Sequence, residues 1–453
     1  MRPREKKRGG QDSLFRDRLE NILNRRHELF RLAGIIDWAS LEQQFGQYYS
    51  ENGRPGIPIR LMVGLTYLEH AFGFSDEEVV ARWVENPYWQ YFCGEQYFQH
   101  EFPIDPSSLS RWRKRIGEEG AEAILAATVR AGVASNAVKE SSFERITVDT
   151  TVQPKAVTYP TDAKLYNHAR EILVRLCHDT GIALRQSYSR IGPRTTMMAA
   201  RYFHARQAKR GKRAVKKLKT MLGRVYRDVE RKIGENPMAQ RILAHPMELV
   251  ARLLHQQRHD KNKLYSLWAP EVECISKGKS HRKYEFGVKV SVATTNRDNF
   301  VVGMQAIHGN PFDGHTLQQA LTQVERVTTK KPERCYVDRG YRGNGVSEVA
   351  VFISGCKRGI TPTIRKELRR RSAVEPVIGH MKEDGKLGRN YLRDCLGDKI
   401  NALLCGGGHN LRIILRKLRA FLSLFNRSIS EALVMALHCN FLSWSVILPT
   451  VER

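Results

Sequence analysis

The chain has 453 residues and carries 75 Lys and Arg against 47 Asp and Glu, a formal net charge of +28. That length predicts two or three folded units, and the charge favours a polyanionic partner, nucleic acid first, bound with steep salt dependence. Eight cysteines without a C-x-x-C pair argue against structural zinc and a disulfide framework, and fit a reduced cytoplasm.

The opening residues Met1 to Arg8 are basic and unlike a signal peptide. From Asp12 to about Asn136 the periodicity is helical: Leu14, Leu19, Ile22, Leu23, Leu29 and Phe30 recur at helix spacing, Pro58 opens a second run, and Ser75 to Glu78 resembles a helix start. Asp105-Pro106-Ser107-Ser108 then precedes a basic helix holding Arg111 and Arg113. Short helices ending in a basic one suit a helix-turn-helix DNA reader, and equally a bundle with a solvated cationic face.

The period then changes. Phe143 to Asp149 reads as a short strand ending in an acid, Tyr284 to Ala293 and Phe300 to Ile307 as a hairpin, and His315 to Val327 as a helix. Cys335 to Asp338 is a further strand ending in an acid, and Val351 to Ser354 another. This order predicts an α/β sheet with a helical insertion at about 163–270. Within the insertion, Arg201 to Lys232 holds thirteen Lys and Arg against two acids, which predicts a phosphate-tracking surface over a merely solvated helix. The longest apolar stretch, Ala432 to Leu448, is interrupted by polar residues and is too short to span a membrane.

Asp149 and Asp338 both read as strand-end acids, and two such acids on one sheet can point into one crevice. The turn after Asp338 contains Arg339 and Arg342, cations suited to phosphate. Glu375 has two competing readings. Ser372-x-x-Glu375 matches a capping box, which makes the acid a helix cap. If the helix instead begins by Arg371, steps of about 100° per residue bring Arg371, Glu375 and Lys382 within roughly 40° on one face, an acid between two cations.

VDTT at Asp149, VDRGYRG at Asp338, Arg371-x3-Glu375-x6-Lys382 and GGGHNLRIIL at Gly406 to Leu415 together resemble bacterial insertion-sequence transposases of the DDE class. The closer likeness is to the fifth insertion-sequence family, which Pro58 to Val80 and Tyr159 to Tyr166 also fit, and it covers about Leu14 to Leu422. The resemblance implies a ribonuclease-H-like mixed sheet with a helical insertion after its first strand, preceded by an all-α DNA-binding domain. Residues 1–136 are then the DNA-binding part and 137–422 the catalytic part with its basic insertion, while 423–453 form a tail with no assigned role. Asp149, Asp338 and Glu375 become catalytic ligands of two Mg²⁺ ions, with Mn²⁺ able to substitute. Arg371, Lys382, Arg339, Arg342, Arg111 and Arg113 become DNA contacts. The implied partners are double-stranded DNA, as inverted-repeat ends and target, and further copies of the chain in a homodimer or larger assembly. No membrane is implied, and the expected place is the cytoplasm, on the nucleoid. One departure stands out: many relatives have Tyr three residues before the motif's Arg, where this chain has Leu368.

Two rivals remain at this stage, a related metal-dependent nuclease without strand transfer and a catalytically silent DNA-binding regulator. Gly278-Lys279-Ser280 lacks the earlier glycine of a phosphate-binding loop, having Glu273 in its place. His308 and His315 lack zinc-ligand spacing, and Asp313 reads as a turn and helix-start residue.

Overall fold

The computed structural model describes residues 17–50, 52, 55–276, 283–356 and 359–444, with backbone alone at 235 and 421–444. Gly278-Lys279-Ser280 lies outside the described residues. Among the described residues seven α-helices precede the first strand: α1 (Leu19–Ile22), α2 (Glu28–Ile35), α3 (Trp38–Gly46), α4 (Ile59–Phe72), α5 (Asp76–Glu85), α6 (Pro87–Phe92) and α7 (Ser107–Ala134). The helical pattern expected through Phe30 breaks after α1, where Asn24 Oδ1 accepts from Arg26 N at 2.9 Å and His27 Nδ1 caps α2. The Ser75 helix start forms as expected, with both bonds of a capping box to Glu78.

Strand β1 (Arg145–Pro154) is followed by the helical insertion, α8 (Asp162–Asp179), α9 (Ile191–His204), α10 (Ala208–Lys232) and α11 (Pro237–His255). The chain returns through β2 (Glu273–Ser276) to the hairpin β3 (Tyr284–Thr295) and β4 (Val301–Ile307), then α12 (Asp313–Thr328), β5 (Arg334–Val337) and β6 (Ala350–Ile353). Next come α13 (Pro362–Arg370), α14 (Val374–Glu383) and the long α15 (Asp394–Trp444). The six strands form one mixed sheet. β1 lies between β3, antiparallel, and β5, parallel; β6 continues parallel beyond β5, and β4 and β2 pair antiparallel with β3.

Helices α2 to α7, the sheet, α12, α14 and α15 bury one continuous apolar core, while α8 to α11 bury a second. The change near residue 136 is therefore a change of secondary structure within one core, and the insertion is the part with a core of its own. The glycine-rich run in α15 explains how the N-terminal helices approach so closely. A Cβ on Gly408 would stand 2.4 Å from the His70 carbonyl oxygen of α4. Two residues on, Asn410 accepts from Val301 N and donates to Val301 O, both at 2.8 Å, which ties α15 to β4. No helix among the described residues is long and apolar enough to cross a membrane.

Candidate active site

Asp149 lies midway along β1, not at its end as its sequence context predicts. Thr150 and Thr151 read as a polar turn, yet β-branched side chains suit a pleated surface, and β3 pairs with β1 as far as Pro154. β5 is the strand that stops. Its last pair with β1 is Thr147 with Tyr336, and Asp149 and Asp338 each lie two residues beyond that pair. The two acids thus meet where β1 loses its parallel neighbour, at the carboxyl end of parallel strands.

Thr150 N donates to Asp149 Oδ1 at 2.8 Å, and Gly340 N donates to Asp338 Oδ1 at 2.9 Å, opening a tight turn through Tyr341. Burial pushes the Asp149 carboxyl up to about 6; the Asp338 and Glu375 charges add to this, while the Thr150 N–H and the Arg371 cation oppose it.

The competition over Glu375 resolves against the cap. Helical backbone runs from α13 through a 3₁₀ turn, Arg371–Ala373, into α14, and Ser372 Oγ donates to Arg369 O at 3.0 Å instead of capping. Pro376 has no N–H to return to the Ser372 carbonyl, which accounts for the local tightening. Arg371 and Glu375 are thereby one turn apart, with Arg371 Nη2 3.7 Å from Glu375 Oε1 and Nη1 3.9 Å from Asp149 Oδ2. The structure brings Asp149 and Asp338 together but leaves Glu375 at the rim, its side chain 67% exposed against 17% for Asp149. Among the described residues no three His, Cys, Asp or Glu side chains converge as a metal-ligand set.

A fourth acid lies beside the pair. Asp313, read from sequence as a helix-start residue, does begin α12, but its Oδ1 accepts from Thr150 Oγ1 at 3.1 Å and from Lys289 Nζ at 2.9 Å. A Cβ on Gly340 would stand 3.0 Å from Asp338 Oδ1 and 3.2 Å from Asp313 Oδ2, so only glycine leaves the gap between these carboxylates open. Lys289 is the available signal, a lysine set between Val288 and Val290 in β3.

The cations expected on DNA divide. Arg339 and Arg342 are exposed on the turn after Asp338, Lys382 is half-buried on α14, and Arg111 is exposed on α7. Arg113 is buried and committed elsewhere: Nη1 bonds Glu69 Oε2 at 3.1 Å and Nη2 bonds Asp76, joining α7 to α4 and α5. It has no charge to offer a phosphate, which removes it from the DNA-contact set. On α10 the basic residues Lys209, Arg210, Lys212, Arg213, Lys216 and Lys217 are exposed opposite a buried Leu218, Leu222, Val225 and Val229 face.

Residues 17–115 match a family described as Transposase domain (DUF772), and residues 254–405 match the Transposase DDE domain. The chain belongs to the DDE-class insertion-sequence transposases. A Rhizobium meliloti protein described as "Uncharacterized protein ORF8 in nfe locus" is 54% identical over 207 residues, 46% of this chain and 100% of that protein. No solved structure matches. The transposase DDE match includes Asp313, Asp338 and Glu375, whereas Asp149 and most of the insertion fall between the two matched segments.

Proposed function

We propose that this transposase binds the terminal inverted repeats of an insertion sequence, pairs two ends as a homodimer or larger assembly, and cuts and joins DNA at Asp149, Asp338 and Glu375 with Mg²⁺. The observation that carries the reading is the register of β1 and β5, which sets Asp149 beside Asp338 while Arg371 bridges Asp149 and Glu375. A mixed sheet with a helical insertion after its first strand supports a ribonuclease-H-like catalytic part. The N-terminal helices, with Arg111 exposed, are the proposed reader of the ends, and the basic face of α10 is the proposed backbone-tracking surface.

The residues fit a hard divalent cation on two grounds. The Asp338 charge adds to burial in disfavouring the ionised Asp149, a cost that a cation relieves. The opening kept by Gly340 is lined by carboxylate oxygens, the donors that Mg²⁺ takes. When bound, a metal pair activates the attacking oxygen and stabilises the leaving one in phosphodiester displacement. Asp149, Asp338 and Glu375 are the proposed ligands, and Mn²⁺ satisfies the same donor set. Arg371 and Lys382 hold the flanking phosphates, and Arg339 and Arg342 line the approach. An attacking water frees a 3′ hydroxyl, which then attacks target DNA without a covalent intermediate on the protein.

The test is Mg²⁺-dependent nicking of an oligonucleotide carrying the element's end, with Asp149→Asn, Asp338→Asn and Glu375→Gln compared. Loss of nicking in all three with DNA binding intact supports the assignment, and nicking that survives Glu375→Gln sinks it. Joined products with added target DNA separate transposition from simple nuclease action.

A further inference from the structure

We propose that Asp313 is a further acid of this site, sharing with Asp338 a divalent cation seated at the Gly340 opening. The inference rests on the reading of Asp149 and Asp338 as metal ligands, and goes beyond the three acids of that reading.

The position of Asp313 at the start of α12 does not explain its side chain. α12 is preceded by Phe312 without a side-chain cap, and the Asp313 carboxylate turns instead toward the sheet. Its Oδ1 is held from two strands, by Lys289 Nζ on β3 at 2.9 Å and Thr150 Oγ1 on β1 at 3.1 Å. Lys289 is itself fixed by the Pro311 carbonyl at 2.6 Å. Thr150 therefore serves two acids, its N–H holding Asp149 and its hydroxyl holding Asp313. With Oδ1 occupied, Oδ2 faces the gap that it shares with Asp338 Oδ1.

A second observation points to a ligand there. Tyr341 is fully buried with a hydroxyl that has no hydrogen-bond partner, and that hydroxyl lies in the field of Asp149, Asp313 and Asp338. A buried hydroxyl without any hydrogen-bond partner costs free energy unless something supplies one. A water on a cation held between Asp313 and Asp338 would donate to that hydroxyl oxygen. Lys289 has a consistent part, since it offsets some of the charge that three neighbouring carboxylates would otherwise accumulate before a cation arrives.

The experiment measures Mn²⁺ binding to the full chain without DNA, by electron paramagnetic resonance titration, with circular dichroism as the check on folding. Asp313→Asn is expected to weaken binding by about tenfold or more, the scale of changes around metal sites. Lys289→Met, which removes a competing cation, is expected to tighten it several-fold. If Asp313→Asn binds as wild type while Asp149→Asn does not, Asp313 is structural and the inference is overturned with the site intact. If Asp149→Asn and Asp338→Asn also leave binding unchanged, the metal site itself is misplaced. Should Asp313→Asn not fold, Lys289→Met decides: tightening supports a cation beside Asp313, and unchanged or weaker binding overturns it.

Discussion

Arg371 stands 3.9 Å from Asp149 Oδ2, so the protein keeps a guanidinium in front of the acid on its central strand. The same guanidinium reaches Glu375 from one helical turn away. A cation placed between two acids balances them in the absence of metal, and phosphate competes for it through bidentate bonding. Arg371→Ala is expected to cut end nicking by about a hundredfold, the scale of losing one aimed charge in a low-dielectric site. The salt slope of end binding should also fall by about one. Nicking assays and a salt titration of binding check both, and wild-type nicking in Arg371→Ala would make the bridge incidental.

The raised Asp149 carboxyl has a consequence for stability. Folding lifts it from an ordinary carboxylate value to about 6, mainly through burial, so the folded state resists its ionisation. Its favourable contribution is complete below the unfolded value, about 3.8, and is lost as pH rises through about 6. Asp149→Asn removes the cost. The metal-free variant is expected to be more stable than wild type by on the order of 1 to 3 kcal/mol at pH 8, with the difference vanishing near pH 4. Urea unfolding at the two pH values checks the sign, and a less stable variant at pH 8 would refute it.

The aim of Arg371 depends on a buried acid on α13. Glu367 accepts from Arg334 Nη1 at 2.9 Å and from the Tyr336 hydroxyl, both on β5, while its carbonyl takes a hydrogen bond from Asn296 at 3.1 Å. These bonds pin α13 to the strand that ends just before Asp338. Glu367→Ala leaves Tyr336 and Arg334 without their acceptor and is expected to cost about 3 kcal/mol, against about 1 kcal/mol for Tyr336→Phe. Nicking should fall in Glu367→Ala even where DNA binding is retained. Thermal unfolding and the nicking assay measured on the same preparation check this.

The features legible in the sequence were those whose cause is local. The β3–β4 hairpin shows as two apolar runs around a polar loop, and Asp338 shows as an acid between a short strand and a glycine-bearing turn. The full extent of β1 is hidden in the sequence because Thr150 and Thr151 are polar in composition but β-branched in shape. β2 has four residues and owes its existence to β3. Asp313 escaped because its partners Thr150, Lys289 and Gly340 come from three separate elements. Whether a helix passed through Arg371 was undecidable locally, since Ser372-x-x-Glu375 matches a cap that the folded chain does not form.

Arg113 and Arg111 look alike in sequence, two residues apart on one basic helix, and the fold gives them opposite roles. Arg113 is buried between Glu69 and Asp76, and Glu69 is also paired with Lys386 from the segment after α14. Removing its charge leaves the buried Glu69 with Lys386 alone and the half-buried Asp76 with only the Ser110 hydroxyl among the described residues, in a junction that joins the N-terminal helices to the rest of the core. Arg113→Ala is expected to destabilise the protein by about 3 to 5 kcal/mol, the cost of breaking a buried pair from one side. Arg111 is exposed and among the described residues bonds the Ser107 and Ser108 hydroxyls, so Arg111→Ala should change stability by less than about 0.5 kcal/mol. If the helix meets DNA, Arg111→Ala should lower the salt slope of end binding by about one. Denaturation midpoints and salt-dependent binding of the two variants separate the roles, and a destabilised Arg111→Ala or an unaffected Arg113→Ala would reverse them.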